Sequence, residues 1–345
     1  LILFLLPSLL SPVASLHGQQ ISPLPTPEVE VMQEEPVVDV SIVQAVMDEL
    51  IDRQVEALIA DMDVADKVGQ LFIVHFEGDD TSADSDIAVL VHGYRIGGIV
   101  ISPRHRNFTN DRSADTPADV ARLTNRLQAL AYGRQLPNNE ALLDGAIMDA
   151  ILIDKTKAGR EVATFVERLP SLTESYDDTE GEVDRPSQDI PLFIGVEQFG
   201  DDLPITSLRR HFSDLPNQLT LGATWNPTLA YEVGQIVGQE LTNVGANLLL
   251  GPSLDVNAQP RPDGVGQLGI HMYGGNPYWT SEFGKSFISG VHRGSDGTVL
   301  TPARHFPGQG DVDRLPSQEL ATIQGDIEEL RKKSLAPFAA VTDTG

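Results

Sequence analysis

The chain of 345 residues carries 50 acidic against 24 basic side chains, a formal charge of −26, which repels nucleic acid and anionic membrane surfaces and argues against nucleic acid as a partner. It contains no cysteine, so a disulfide framework, a thiolate metal site and a thiol nucleophile are excluded. The length accommodates one large α/β barrel with insertions.

Leu1 to Ser15, LILFLLPSLLSPVAS, is an apolar run of the length of a secretory h-region and ends in small residues. It predicts a signal-peptide-like segment over 1–18 and an extracellular or cell-surface location, with a retained N-terminal anchor as the alternative. Residues 19–42 are rich in Pro and Glu and read as an acidic linker. Between Glu28 and Asp66 twelve acids face Arg53 as the single base, the pattern of a solvated leader followed by a short helix. The folded domain is expected over 43–345.

From Gln70 onward, short β-rich runs alternate with amphipathic helical patterns. The runs are QLFIVHF (70–76), GGIVIS (97–102), PLFIGV (191–196), ANLLLG (246–251) and GTVLTPA (297–303), and a sixth is expected to begin near Ala339. Continuous apolar runs predict strands buried on both faces, as in parallel sheets. Between them, Thr116-Pro117 opens a helix with Val120, Leu123, Leu127 and Leu130 on one face. Asn226-Pro227 and Asn276-Pro277 each place a capping side chain before a Pro at the first helical position. A last helix is predicted from about Gln318 to Lys333, with Leu320, Ile323, Ile327 and Leu330 inward and Glu328/Lys332 and Glu329/Lys333 pairs outward. Repeated βα units predict an α/β fold with a parallel sheet. Residues 133–189 interrupt the alternation with 13 acids and six bases and read as an acidic insertion.

In such folds reactive groups gather at the C-terminal ends of strands. Glu197-Gln198 follows PLFIGV, Gly251 to Asn257 (with Asp255) follows ANLLL, and Arg304-His305-Phe306-Pro307-Gly308 follows GTVLTPA. These ends predict one polar pocket. The strings Gly264 to Gly269 (Gly-x-Gly-x-x-Gly) and Gly284-Lys285-Ser286 occur, but neither stands directly after a predicted strand run and Trp279 occupies the place of a phosphate loop's first glycine, which argues against a dinucleotide or a nucleoside triphosphate. Asp255 is expected to cap a loop or orient a neighbouring cation, and His75 and His92 are read as structural histidines.

The succession KVGQLFIVHF, GGIVIS, LTNRLQALA, PLFIGVEQ, LTLGATWNP, VGQELTNVGANLLLGPSLDVN, GNPYWTSEFGKSFISGV and RHFPGQGD resembles the N-terminal barrel domain of glycoside hydrolase family 3, in particular its β-N-acetylhexosaminidase-like branch, over roughly Asp63 to Tyr132 and Ile190 to Gly345. The resemblance implies a TIM-type (β/α)8 barrel, incomplete at the C-terminus, and a retaining glycosidase with a carboxylate nucleophile and a covalent glycosyl-enzyme intermediate. The substrate implied is a carbohydrate with β-linked sugars, of the β-N-acetylglucosaminide or β-glucoside type, and no cofactor or metal is implied.

Residue by residue, the family's Val-Asp-Gln-Glu-Gly-Gly stands here as Val196 to Asp201, with Glu197 in the place of the sugar-holding Asp. His271 takes the place of the family's arginine, and Arg304-His305 that of its Lys-His pair. Glu197, His271, Arg304 and His305 are therefore the expected substrate-binding residues. The family's acid/base His has no counterpart, since no histidine follows His305. Asp311 and Asp313 are the remaining acid/base candidates in the shortened loop, and the family's nucleophilic Asp is expected beyond Gly345. Two alternatives stand beside the glycosidase: a sugar-binding pseudoenzyme that has lost the acid/base, and a structural cell-surface module.

Overall fold

The computed structural model describes residues 40–133, 190–198, 200, 206–257, 269–310, 312, 320, 322 and 326–342. The chain divides into two compact units, Leu1–Leu58 and Ile59–Gly345. The signal-peptide-like segment 1–18, all of the linker but its last residues, and 134–189 of the acidic stretch lie outside the described residues. Helix α1 (Val40–Asp61) begins inside the expected linker, two residues before 42.

In the second unit, α2 (Val64–Gly69) starts at Asp63, whose carboxylate accepts the Asp66 N–H while Asp66 returns a bond to the Asp63 N–H. This reciprocal capping box satisfies two backbone donors at the helix start. The strands β1 (Ile73–Val74), β2 (Gly98–Val100), β3 (Phe193–Val196) and β4 (Leu248–Leu249) then form one parallel sheet in chain order. Val74 pairs with Ile99, Ile99 with Ile194 and Val196 with Leu249. The fifth predicted run lies parallel to β4 as isolated bridges, Leu248 with Leu300 and Ser253 with Arg304.

The crossovers are helical. Between β1 and β2 run α3 (Asp86–Ala88) and a π turn, Val89–Gly93. After β2 comes α4 (Thr116–Ala131), burying Val120, Leu123, Leu127 and Leu130 as its periodicity predicts. Between β3 and β4 lie α5 (Gln218–Ala223) and α6 (Pro227–Asn243), and α7 (Pro277–Gly294) follows β4. The Asn226 and Asn276 side chains cap α6 and α7 as expected, accepting the N–H groups of Thr228 and of Tyr278 and Trp279. Ile99, Ile101, Ile194, Val196 and Leu249 of the sheet form a common core with the helix faces, including Phe283, Phe287 and Val291.

The helices α6 and α7 approach backbone to backbone through Gly234-x-x-x-Gly238 and Gly290-x-x-x-Gly294. A Cβ added at Gly234 would sit 2.3 Å from the Phe287 carbonyl oxygen, and one at Gly290 2.2 Å from that of Tyr231. Any side chain there forces the helices apart.

Three expectations are corrected. Residues 70–76 are not a strand throughout: Gln70 and Leu71 finish the turn after α2, and Leu71 is 81 % exposed with Phe72 and Ile73 also open to solvent. At the edge of the described sheet, an apolar strand is covered on fewer sides than a central one such as β2. Among the described residues the final helix starts at α8 (Ile327–Leu330), where the Asp326 carboxylate accepts the Glu329 N–H; Leu320 and Thr322 of the predicted span are not helical, and Gln318 and Ile323 lie outside the described residues. Leu320 lies outside it at 92 % exposure, and Ile327 is exposed rather than inward. On the outer face, Lys333 pairs with Glu329 as expected, while Glu328 takes Arg331 in place of Lys332. The sixth run is helical: a π turn, Arg331–Leu335, continues into α9 (Ala336–Val341), which buries Phe338 edge-on against Phe306. Among the described residues no helix is long and apolar enough to cross a membrane.

Candidate active site

The parallel sheet sends the ends of β3, β4 and the fifth run to one side, and the groups that follow them bond across the chain. Arg304 donates from Nη1 to Glu197 Oε1 at 2.7 Å, joining residues 107 positions apart. His305 Nδ1 lies 2.7 Å from Asp255 Oδ2. Both Arg304 and Glu197 are partly open to solvent, as is the His305 ring, whereas the Asp255 side chain is fully enclosed. The outcome is two hydrogen-bonded pairs with different roles. One presents a cation and a carboxylate at the surface, and the other anchors an imidazole from beneath.

The anchoring is specific. Asp255 Oδ1 accepts the Gln309 N–H at 2.5 Å, and Oδ2 also accepts the Ser253 hydroxyl at 2.9 Å. Burial alone would push the Asp255 carboxyl up. The hydrogen bonds from His305 and Gln309, the His305 charge and the Ser253 hydroxyl together outweigh it and hold the group below the usual carboxylate value. Asp255 is therefore an anion that fixes the ring, as the sequence allowed when it offered orientation of a neighbouring cation. Ser253 is itself held by Gln218 of α5, whose amide accepts the Ser253 N–H at 3.1 Å and donates to its carbonyl at 2.9 Å. The backbone closes the same clasp: Arg304 N–H donates to the Pro252 carbonyl, and Leu254 N–H to that of Arg304.

The other expected residues lie elsewhere or out of description. His271 is buried in the turn that leads to α7, next to Met272 and Tyr273, which are buried too. Burial pushes the Tyr273 hydroxyl well above its ordinary value, the Gln218 side chain opposing in part, so this phenol stays protonated. Asp311 and Asp313 lie outside the described residues. An apolar hollow behind the strand ends is lined by Gln198, Pro216, Leu221, Val233, Leu249 and Phe287 among others. It contains none of Glu197, Asp255, Arg304 or His305 and no charged lining residue, so the chemistry belongs to the strand ends. Among the described residues, no group of three or more His, Asp or Glu side chains is arranged to hold a metal ion.

A second polar cluster at the ends of β1 and β2 was missed from sequence. Glu77 Oε1 lies 2.7 Å from His105 Nδ1, and its Oε2 accepts from Arg106 Nη2 at 3.2 Å. The His75 and His105 rings stack with centroids 4.6 Å apart. The bond to His105, with Arg106 assisting, holds the Glu77 carboxyl below its usual value against the opposing effect of burial. Asn107 fixes both loops: its amide donates to the carbonyls of Phe76 and Gly78 and accepts the Ser102 N–H at 2.8 Å. The signal was present in Glu77 directly after the first run and in RHRN (104–107) after the second, both at strand ends.

This arrangement of parallel βα units has known counterparts. The family model for the glycosyl hydrolase family 3 N terminal domain matches residues 152–345. The chain belongs to this family. Its similarities place it in the β-N-acetylhexosaminidase-like branch. It is 25 % identical over 155 residues to beta-hexosaminidase A of Pseudoalteromonas piscicida, covering 44 % of this chain and 25 % of that one. It is 29 % identical over 161 residues to beta-hexosaminidase of Nitrosomonas eutropha, covering 45 % and 44 %. Among solved structures, a glycoside hydrolase family 3 beta-N-acetylglucosaminidase from Paenibacillus sp. superposes with a TM-score of 0.59 at 27 % identity, over 82 % of this chain and 40 % of that one. The beta-N-acetylhexosaminidase of Beutenbergia cavernae shares the fold, with a TM-score of 0.56 at 20 % identity over 83 % and 66 %. The chain thus spans less than half the length of both curated relatives. The family match contains Glu197, Asp255, His271, Arg304, His305, Asp311 and Asp313, and begins within the stretch read as an insertion. The Glu77/His105 cluster of this family 3 chain lies outside the match.

Proposed function

We propose that the chain forms the sugar-binding part of an exported glycosidase that hydrolyses β-linked sugars, of the β-N-acetylglucosaminide or β-glucoside type. The observation that carries this is the convergence of the Glu197–Arg304 and Asp255–His305 pairs at the ends of parallel strands. Partly open cations and carboxylates held at fixed spacing suit a polyol, whose hydroxyls both donate and accept. Glu197 accepts from one sugar hydroxyl, Arg304 donates to another, and His305, its ring fixed by Asp255, meets a third. The names of the relatives, beta-hexosaminidases and a beta-N-acetylglucosaminidase, support the same substrate class.

The retaining route fits this assignment. A carboxylate attacks the anomeric carbon as the bond to the leaving oxygen breaks, that oxygen takes a proton from an acid, and water then releases the sugar as the acid, now a base, accepts the water proton. Nucleophile, acid and water suffice, so no cofactor enters. Asp311 and Asp313 are the acid candidates, and no described residue is assigned as nucleophile. The strand order and the open apolar side chains at β1 support a sheet that continues into a closed (β/α)8 barrel. The alternative, a sugar-binding pseudoenzyme, is favoured by the lack of a histidine in the loop 306–317.

Aryl glycosides with good leaving groups separate the two, because their departure needs little protonation. A glycosidase turns over 4-nitrophenyl N-acetyl-β-glucosaminide or the corresponding glucoside, and Arg304→Ala lowers kcat/KM. Saccharide binding without turnover of either compound selects the pseudoenzyme, and absence of both binding and turnover overturns the proposal.

A further inference from the structure

The chain has two tryptophans, Trp225 and Trp279, and they touch each other. Their rings meet edge to face, with centroids 5.2 Å apart, and Tyr278 adds a second edge-to-face contact to Trp279 at 5.4 Å. Large aromatics gain free energy by leaving water, yet Trp225 and Tyr278 are each 63 % exposed while Trp279 is partly buried beneath them. Trp225 also adopts a left-handed backbone, φ +56, where α5 ends and glycine is the usual occupant. A bulky residue held there, with its ring in solvent, is disfavoured both conformationally and by hydration.

The position is informative. In parallel βα units the helix after a strand starts on the side where that strand ends. Trp225 precedes α6, which follows β3, and Tyr278 and Trp279 open α7, which follows β4. The rings therefore stand on the same side as Glu197 and Asp255. A continuous aromatic row leads inward from them: Trp279 lies 6.4 Å from Phe283, and Phe283 stacks at 5.3 Å on Tyr273, two residues from His271. The start of the row is fixed to the site as well, because α5 bonds to Ser253 through Gln218 and packs Gly222 against the Tyr273 backbone.

The chemistry of the surroundings selects a ligand class. The two segments that carry the rings, GATWNP (222–227) and GGNPYW (274–279), contain no charged residue, in a chain where charged residues make up 21 %. The Asn226 and Asn276 side chains, neighbours of the rings in sequence, use their amide oxygens as helix caps, and each also carries an NH2 donor. Flat apolar rings with neutral amide donors as sequence neighbours suit a ligand with an apolar C–H face and equatorial hydroxyls. The charge of −26 disfavours anionic polymers and lipids at the same place.

We propose that Trp225, Trp279 and Tyr278 form a platform on which a neutral oligosaccharide stacks, β-linked on the glycosidase reading on which this choice of linkage rests, a second glycan-binding surface beside the strand-end site. The platform shares with that site only the class of ligand, a glycan. It holds neighbouring units of a longer chain by face-on contact, while the strand-end groups grip one sugar through its hydroxyls.

Because both tryptophans belong to the platform, intrinsic tryptophan emission reports on it directly. The experiment titrates the full-length protein with a β-1,4-linked N-acetylglucosamine hexamer and with the free monosaccharide. The expected result is a saturable change of emission with the hexamer, and a loss of affinity of about 3- to 10-fold in Tyr278→Ala, which retains both indoles. Calorimetry on Trp225→Ala gives a loss of the same order, with far-ultraviolet circular dichroism confirming that both variants fold. In Arg304→Ala the monosaccharide is lost while the hexamer still perturbs the tryptophans, so failure of the strand-end site is distinguished from failure of the platform. Hexamer affinity unchanged in both aromatic variants overturns the proposal. So does an emission spectrum already characteristic of buried indole and unmoved by hexamer, which means that protein covers the platform.

Discussion

Replacing Asp255 by asparagine keeps shape and volume but removes the charge beneath His305. The enclosed carboxylate accepts three hydrogen bonds, from His305, Gln309 and Ser253. Bonds to an ionised acceptor contribute about 1.5–3 kcal/mol each, and an amide retains part of this through its oxygen while its NH2 opposes one of the donors. The His305 ring keeps some contact with water, which reduces the effect toward the lower end of the range. A loss of about 2 kcal/mol in unfolding free energy is expected for Asp255→Asn, and about 3 kcal/mol or more for Asp255→Ala, which leaves the buried donors without an acceptor. The pH dependence carries a definite sign. The folded-state value of Asp255 is depressed, so its contribution is whole above the unfolded aspartate value of about 3.9 and disappears as pH falls through the lower folded value. Urea unfolding of both proteins between neutral and acidic pH measures this: the difference is constant at neutral pH and shrinks below about pH 4. Sugar affinity drops alongside, because the His305 ring is no longer fixed. Equal stability of the two proteins within about 0.5 kcal/mol at neutral pH refutes the assigned role of Asp255.

At the α6–α7 crossing, Gly290→Val places a side chain where a Cβ already lies 2.2 Å from a backbone oxygen, and thermal unfolding should report a loss of about 1–3 kcal/mol. Asn107→Ala removes the partner of two carbonyls and one N–H at the β1 and β2 loops, a loss of about 2 kcal/mol or more by urea denaturation, with faster hydrogen exchange at Gly78 and Ser102. Glu197→Gln acts differently, since its ion pair is partly solvated. Stability should change by at most about 1 kcal/mol, whereas calorimetry should find monosaccharide affinity about tenfold weaker.

What could be read from the sequence depended on how local the cause was. The caps at Asn226 and Asn276 and the buried face of α4 follow from neighbouring residues, and both stand as predicted. The parallel sheet was legible from the apolar runs, because double-sided burial demands them. Run boundaries were not, since coverage at Leu71 to Ile73 is set by tertiary neighbours. The last helix differs for a local reason: Asp326, with Glu329 three residues on, supplies a stronger start than any residue near Gln318, and Ala336 to Val341 suits a helix as well as a strand. At the site, strand-end reasoning named Glu197, Arg304 and His305, but who pairs with whom joins residues 50 and 107 positions apart and emerges only from the fold. The Glu77/His105 cluster escaped because its members stand 28 positions apart and meet only once β1 and β2 pair. The aromatic platform escaped because its two segments are distant in sequence.

The most direct measurement is calorimetric titration of N-acetylglucosamine into the full-length protein and into its Arg304→Ala variant. Saturable binding that falls at least about tenfold in the variant, with folding intact by circular dichroism, is the predicted result, since Arg304 loses a charge-assisted bond to the sugar and leaves Glu197 unpaired. Equal affinity in the two proteins would contradict a sugar site at the ends of these strands.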